Sequence, residues 1–176
     1  MRLRIRLILS LVTIVGVTVI FVVALQQSRS RVVAALGGFS ASGVQVDLTL
    51  EHRSDAPCVL AARYTPLRER FHVYSKDLPP DGVNGLGRPT RLDIVSGLVA
   101  TGELSADATT SDLKTEGLDE VLPVYPDGPV TLRLPVRVTG NGNAQVKLSY
   151  MACSAFTCLP PTARTLEINL SNCEMS

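Results

Sequence analysis

From Val44 onward, apolar and polar residues alternate along most of the chain. Val44-Gln-Val-Asp-Leu-Thr-Leu50 has a clean period of two, and Ala144-Gln-Val-Lys-Leu-Ser-Tyr-Met151 and Arg164-Thr-Leu-Glu-Ile-Asn-Leu170 repeat it. Val130-Thr-Leu-Arg-Leu-Pro-Val-Arg-Val138 alternates as well, with Pro135 predicting an edge strand or a bulge. Shorter strands are predicted over Val59 to Thr65, Phe71 to Ser75 and Arg91 to Val95. Gly140-Asn-Gly-Asn143 is a turn signal ahead of the next strand. Ser105 to Glu120 is polar and without period, which predicts a surface loop or irregular excursion. No segment after the first 25 residues has helical periodicity. Short strands separated by turn residues point to an antiparallel β-sandwich.

The N-terminus has a different pattern. Arg2, Arg4 and Arg6 precede Leu7 to Leu25, 19 residues without a charge. That is close to the roughly 20 residues a bilayer-spanning helix needs. A cleaved signal peptide has a shorter apolar core and a small-residue cleavage site. Ser40-Ala41-Ser42 is the nearest candidate, far downstream. Residues 1–25 therefore read as a signal anchor or signal peptide, and the upstream arginines favour an inside N-terminus. Residues 26–43 read as a linker, and residues 44–176 as one exported domain. Without the anchor, three arginines and no acids are lost, so the net charge of +1 becomes −2. That balance gives no reason to expect nucleic-acid binding. Trp is absent and aromatics make up 5% of the chain, so Val, Leu, Ile and Ala must build the core.

Four cysteines in an exported domain fit an oxidising compartment and leave three connectivities open. Two of them bracket Cys153-Ser-Ala-Phe-Thr-Cys158, followed by Pro160 and Pro161, between two alternating runs. This reads as a β-hairpin with a cysteine on each side of a four-residue loop. Residues so opposed lie roughly 4.5–5.5 Å apart at Cα, which suits a disulfide. In the chain-entropy picture, closing six residues is worth roughly 2 kcal/mol, against roughly 5 kcal/mol for the loop from Cys58 to Cys173. Cys58–Cys173 is accordingly the expected structural disulfide, and Cys153–Cys158 a poor staple but an accessible pair. A purely structural hairpin disulfide remains the alternative.

Other motifs carry less. His52 and His72 lack zinc-like spacing to a cysteine pair, so no metal or other cofactor is expected. Gly82-Val-Asn-Gly-Leu-Gly87 has the wrong spacing for a dinucleotide fingerprint and reads as a turn. Nothing marks a nucleophile elbow.

The ending Leu148-Ser-Tyr-Met-Ala-Cys-Ser-Ala-Phe-Thr-Cys-Leu-Pro-Pro161 resembles the periplasmic N-terminal domain of the thiol:disulfide interchange protein DsbD. That family carries Tyr-x-x-Cys, a short gap, then Cys-x-Pro-Pro between two late strands. Phe71-His-Val-Tyr-Ser75 with Gly85 to Leu92 is similar to the family's early aromatic-x-x-Tyr strand and the loop beyond. Pro129 to Val138 is similar to the strand before its cysteine hairpin. The likeness spans about Val44 to Leu170.

It implies an all-β fold, an immunoglobulin-like antiparallel β-sandwich, which here follows the one N-terminal transmembrane helix predicted over Leu7 to Leu25. Taken with that apolar run, it points to a single-pass protein of a bacterial inner membrane, its domain facing the periplasm or cell exterior. Cys153 and Cys158 are the implied redox-active pair of a possible thiol:disulfide oxidoreductase component. Thioredoxin-like exported proteins are the implied electron donor and acceptor. The 176 residues hold neither the membrane electron-transfer domain nor the C-terminal thioredoxin domain of the full-length family, so separately encoded partners are expected. The family shields its cysteines with an aromatic cap loop, corresponding to part of Ser105 to Tyr125. Here that loop offers Leu113, Leu118 and Leu122 and no aromatic before Tyr125. By the same likeness, Tyr74 and Tyr150 are expected near the cysteines. The other function class open at this point is an immunoglobulin-like binding or scaffold module.

Overall fold

The structure, a computed structural model, describes residues 32–53, 56–114, 119–139 and 142–170. The expected membrane segment, residues 7–25, lies outside them. Regular structure among the described residues is entirely β. In chain order the strands are β1 (Val32–Ala41), β2 (Val44–Arg53), β3 (Ala56–Pro66), β4 (His72–Val73), β5 (Arg91–Ser96), β6 (Leu98–Ala100) and β7 (Ser105–Ala106). They continue as β8 (Ser111–Lys114), β9 (Val121–Val124), β10 (Val130–Val138), β11 (Asn143–Tyr150), β12 (Ala152–Cys153) and β13 (Thr162–Asn169).

All pairings are antiparallel. The larger sheet runs β1-β2-β3-β10-β6, with β7 also on β10. The second runs β13-β11-β5, and β12-β4 and β8-β9 form two small ribbons. Alternation in the sequence becomes burial on one face. Val44, Val46, Leu48 and Leu50 of β2 face inward, as do Leu60, Ala62 and Tyr64 of β3 and Leu132, Leu134 and Val136 of β10. Ala144, Val146, Leu148 and Tyr150 of β11 join them from the second sheet. These residues form one apolar cluster, the shared core of an immunoglobulin-like sandwich.

Several expectations are corrected. The linker is not continuous through residue 43, because Val32–Ala41 pairs with β2 as an edge strand. Ser105 to Glu120 is not irregular throughout: it contributes β7, on β10, and β8, which forms a hairpin with β9. Pro135 is neither at an edge nor at a bulge, since β10 pairs with β3 in unbroken register through it. The Pro135 carbonyl accepts from Thr101 N at 2.9 Å. Its nitrogen faces that same flank, beyond the last β7 partner and before the first β6 partner, where a missing N–H removes no ladder bond. The turn signal at 140–143 precedes a strand of the other sheet, so it does not close a hairpin; residues 140–141 lie outside the described residues.

Gly97 is the point where the chain leaves β5 in one sheet for β6 in the other. It adopts φ +78°, and a Cβ there would collide with the Asn143 carbonyl oxygen, so glycine is required on both counts.

Tyr150 ties the second sheet to the first. Its ring is buried, packs edge-on against Tyr64 at 5.6 Å and stacks with Phe39 at 6.4 Å. Its hydroxyl donates to the Ala41 carbonyl at 2.6 Å. We expect Tyr150→Phe to lose about 1–2 kcal/mol in urea denaturation, for one unmatched acceptor. Tyr150→Ala should lose about 3–5 kcal/mol, for the cavity as well. A neutral Tyr150→Ala would contradict this account of the core.

Candidate thiol–disulfide site

The β11–β13 hairpin is in register down to Tyr150↔Thr162, so residues 151–161 connect its ends. They do not form a simple tip. Instead they fold as a second, smaller hairpin that leans onto β4. Ala152 pairs with Val73 and Cys153 with His72, and Cys153 bridges Cys158 directly. Ser154 N donates to the Thr157 carbonyl at 2.8 Å, and Leu159 N to the Ala152 carbonyl at 2.9 Å. The Ser154 hydroxyl accepts from Phe156 N and Thr157 N, each at 3.3 Å, a side-chain turn of the kind that makes serine common in tight loops. Cys153 and Cys158 are joined by a disulfide with Cα atoms 4.0 Å apart. The four-residue loop between opposed cysteines is therefore as expected, set on a longer connection.

The two sulfurs have different surroundings. Cys153 is 1% exposed, whereas Cys158 is exposed. Cys153 belongs to a small apolar cluster with Tyr74, Leu78, Leu122 and Val124, against which Leu113 and Met151 pack. Leu113, Leu122 and Val124 come from the β8–β9 hairpin, so part of the stretch Ser105 to Tyr125 packs with aliphatic side chains in the cluster that holds Cys153. Leu118 lies outside the described residues. Tyr125 is buried, and its hydroxyl accepts from Lys76 N at 3.2 Å.

Tyr74 makes the closest polar contact to the disulfide. Its hydroxyl donates to Cys153 Sγ at 3.2 Å and lies 3.9 Å from Cys158 Sγ. Its carbonyl is held by the Thr90 hydroxyl at 2.7 Å. Tyr150, the other tyrosine expected here, belongs to the core. His72 also borders the site: it packs edge-on to Tyr74 at 6.2 Å, and its Nδ1 lies 3.2 Å from Asp127 Oδ1. Spacing along the chain gives His72 no metal-site role, and nothing in the sequence marks Asp127. The two are 55 residues apart, and no local pattern connects them. At the loop tip Phe156 is 95% exposed, an unusual position for a large aromatic.

Cys58 is buried and away from this pair, its sulfur 3.3 Å from His52 Nδ1. Cys173, its expected partner, lies outside the described residues. Among the described residues no cluster of His, Cys, Asp and Glu could hold a metal ion.

No protein-family model matches the chain, and no curated protein sequence does. Among solved structures it is similar to the N-terminal periplasmic domain of ScsB from Proteus mirabilis, with TM-score 0.53 and 16% identity over 79% of this chain and 52% of that one. The chain shares the fold of the ScsB domain. It spans about half the length of that structure. The reduced N-terminal domain of Neisseria meningitidis DsbD is also similar, at TM-score 0.45 and 15% identity over 65% of this chain and 78% of that one. At such identities the likeness to ScsB concerns the fold; the chemistry must be argued from the residues here.

Burial raises the ionisation of the four tyrosines of the chain above the ordinary 10.0, well above for Tyr64 and to a lesser degree for Tyr74, Tyr125 and Tyr150. In each the first cause is desolvation, which disfavours the phenolate. The folded protein thus holds these protons more tightly than the unfolded chain. Their contribution to stability is complete below about pH 10 and declines as pH rises through the folded values. Urea midpoints should be flat from about pH 8 to pH 9.5 and fall by pH 11, with tyrosinate absorbance lagging behind that of the unfolded chain. Tyrosines that titrate as free phenols in the folded protein would contradict the packing described.

Proposed function

We propose that this chain is a membrane-anchored, exported thiol–disulfide exchange domain that relays electrons between thioredoxin-like partners through Cys153 and Cys158. The single observation carrying this reading is the asymmetric disulfide: one cysteine exposed, the other buried beneath a phenol. The likeness to a periplasmic domain of ScsB supports the exported compartment, and the uncharged run Leu7 to Leu25 supports the anchor. A Cys58–Cys173 bridge completes the proposal as the structural staple.

The chemistry follows from exposure. A donor thiolate attacks the exposed Cys158 Sγ, forming a mixed disulfide and breaking the bond to Cys153. Cys153 leaves as a thiolate with the bonding pair, where the Tyr74 hydroxyl is placed to donate to it. The donor's second thiolate then displaces Cys158, so the donor ends oxidised and this pair reduced by two electrons. Passing electrons onward reverses the roles: the Cys158 thiolate attacks the acceptor disulfide, and Cys153 resolves the mixed disulfide. Phe156, exposed between the cysteines, offers an aromatic anchor for the partner's apolar surface around its own cysteines.

Cys153→Ala should accumulate a mixed disulfide through Cys158 with an exported thioredoxin-like protein, visible on non-reducing gels and lost on reduction. Cys158→Ala, left with a buried thiol, should accumulate at least about tenfold less. Phe156→Ser in the Cys153→Ala background should reduce the adduct without altering urea stability. If neither cysteine variant forms an adduct, the exchange reading fails and the hairpin disulfide is structural.

A further inference from the structure

The exchange steps above leave one group beside the disulfide unused. His72 is 6% exposed. Its Nδ1 faces Asp127, whose side chain is 55% exposed, while its Nε2 is buried without a hydrogen-bond partner. A buried polar nitrogen left unpaired is destabilising. The carboxylate sets the tautomer: Nδ1–H donates to Asp127, and Nε2 keeps its lone pair. Asp127 thus orients the imidazole and leaves Nε2 as the ring nitrogen without a partner.

The register of the β4–β12 ribbon puts one reactive group on the same face. His72 and Cys153 are direct cross-strand partners, so their side chains leave the same face with Cβ atoms roughly 4.5–5.5 Å apart. Tyr74, two residues on, shares that face and contacts both, edge-on to the imidazole and through its hydroxyl to Cys153 Sγ. In the disulfide, Cys153 has no proton to give. In the dithiol it has one. Burial favours the neutral thiol over the thiolate, so a resolving cysteine that is 1% exposed reacts slowly unless a nearby base takes its proton.

We infer that His72, oriented by Asp127, is the base that accepts the thiol proton of Cys153 whenever the pair is reduced; this rests on the exchange reading. When the pair passes electrons on, the Cys158 thiolate attacks the acceptor disulfide and the first acceptor thiolate leaves. The Cys153 thiolate, whose proton His72 Nε2 already holds, attacks Cys158 Sγ. The Cys153–Cys158 bond forms, the bond to the acceptor breaks, and the second acceptor thiolate departs and takes the proton from the imidazolium. Two electrons pass to the acceptor, and His72 returns to its neutral form. Besides Asp127, the titratable groups along the groove that His72 lines are Glu69, Arg70 and Tyr125, with Tyr74 against the ring.

The test reads titration, so it needs no partner protein. Nuclear magnetic resonance of the His72 ring in wild-type protein should show a midpoint about one pH unit or more higher in the dithiol than in the disulfide form, a tenfold gain in proton affinity from the adjoining thiolate. Thiolate absorbance of the reduced protein should contain a component that rises together with this titration. His72→Gln should abolish that component, and Asp127→Asn should weaken it. Equal His72 midpoints in the two redox states would overturn the inference, as would identical thiolate titrations in wild type and His72→Gln. If His72→Gln does not fold, the wild-type comparison decides alone. Redox-coupled titration of His72 in a protein that forms no mixed disulfide would overturn the relay and leave the proton coupling standing.

Discussion

The backbone of residues 71–75 is hydrogen-bonded along both edges. On one side His72 and Val73 pair with β12. On the other, Tyr125 N donates to the Val73 carbonyl, Gly128 N to the Phe71 carbonyl, and Ser75 N to the Pro123 carbonyl. This short segment therefore joins the cysteine loop to the β8–β9 hairpin. Period two along it sends His72 and Tyr74 to one face, toward Cys153, while Phe71 and Val73 enter the main core. Every contact that distinguishes the two sulfurs depends on that arrangement. A slip of one residue would exchange the faces and place Val73 where Tyr74 meets the disulfide.

In the proposed exchange, the same arrangement makes the disulfide directional. Attack on a disulfide requires access to one sulfur and a tolerable leaving thiolate at the other. Cys158 has the access. Cys153 has the phenol of Tyr74 within hydrogen-bond reach and apolar neighbours that exclude water, conditions under which one hydrogen bond to a thiolate counts for more than in solvent. Pro160 and Pro161 stiffen the chain after Cys158, Leu159 N bonds back to the Ala152 carbonyl, and the Leu159 side chain packs against the core, so the exposed cysteine is held in place.

Much of the sandwich was legible because burial on one face is written directly as alternation in β2, β3, β10 and β11. β1 was not legible, for a physical reason. Its register shifts between Ala35 and Gly37, so Ala34 and Leu36 pack inward in one phase and Phe39 in the next, which erases the period. The β8–β9 hairpin was hidden differently: Ser111-Asp-Leu-Lys114 offers one apolar residue, and the ribbon is held by tertiary contacts of Leu113, Leu122 and Val124. Pro135 misled because a strand can be interior on one flank and face a gap between two short strands on the other. At the site, the cysteine pair and Tyr74 could be read from a local motif. The His72–Asp127 contact could not, since it exists only once residues 71–75 and 123–128 are brought side by side.

The central claim is that Cys153–Cys158 is an exchange pair and not a staple, and its midpoint potential tests this most directly. The pair should be equilibrated against graded dithiothreitol or glutathione buffers and the free thiols counted by alkylation. A potential between about −120 and −270 mV, the range of exchange catalysts, is the expected result. A potential below about −300 mV, where structural disulfides lie, would contradict the account.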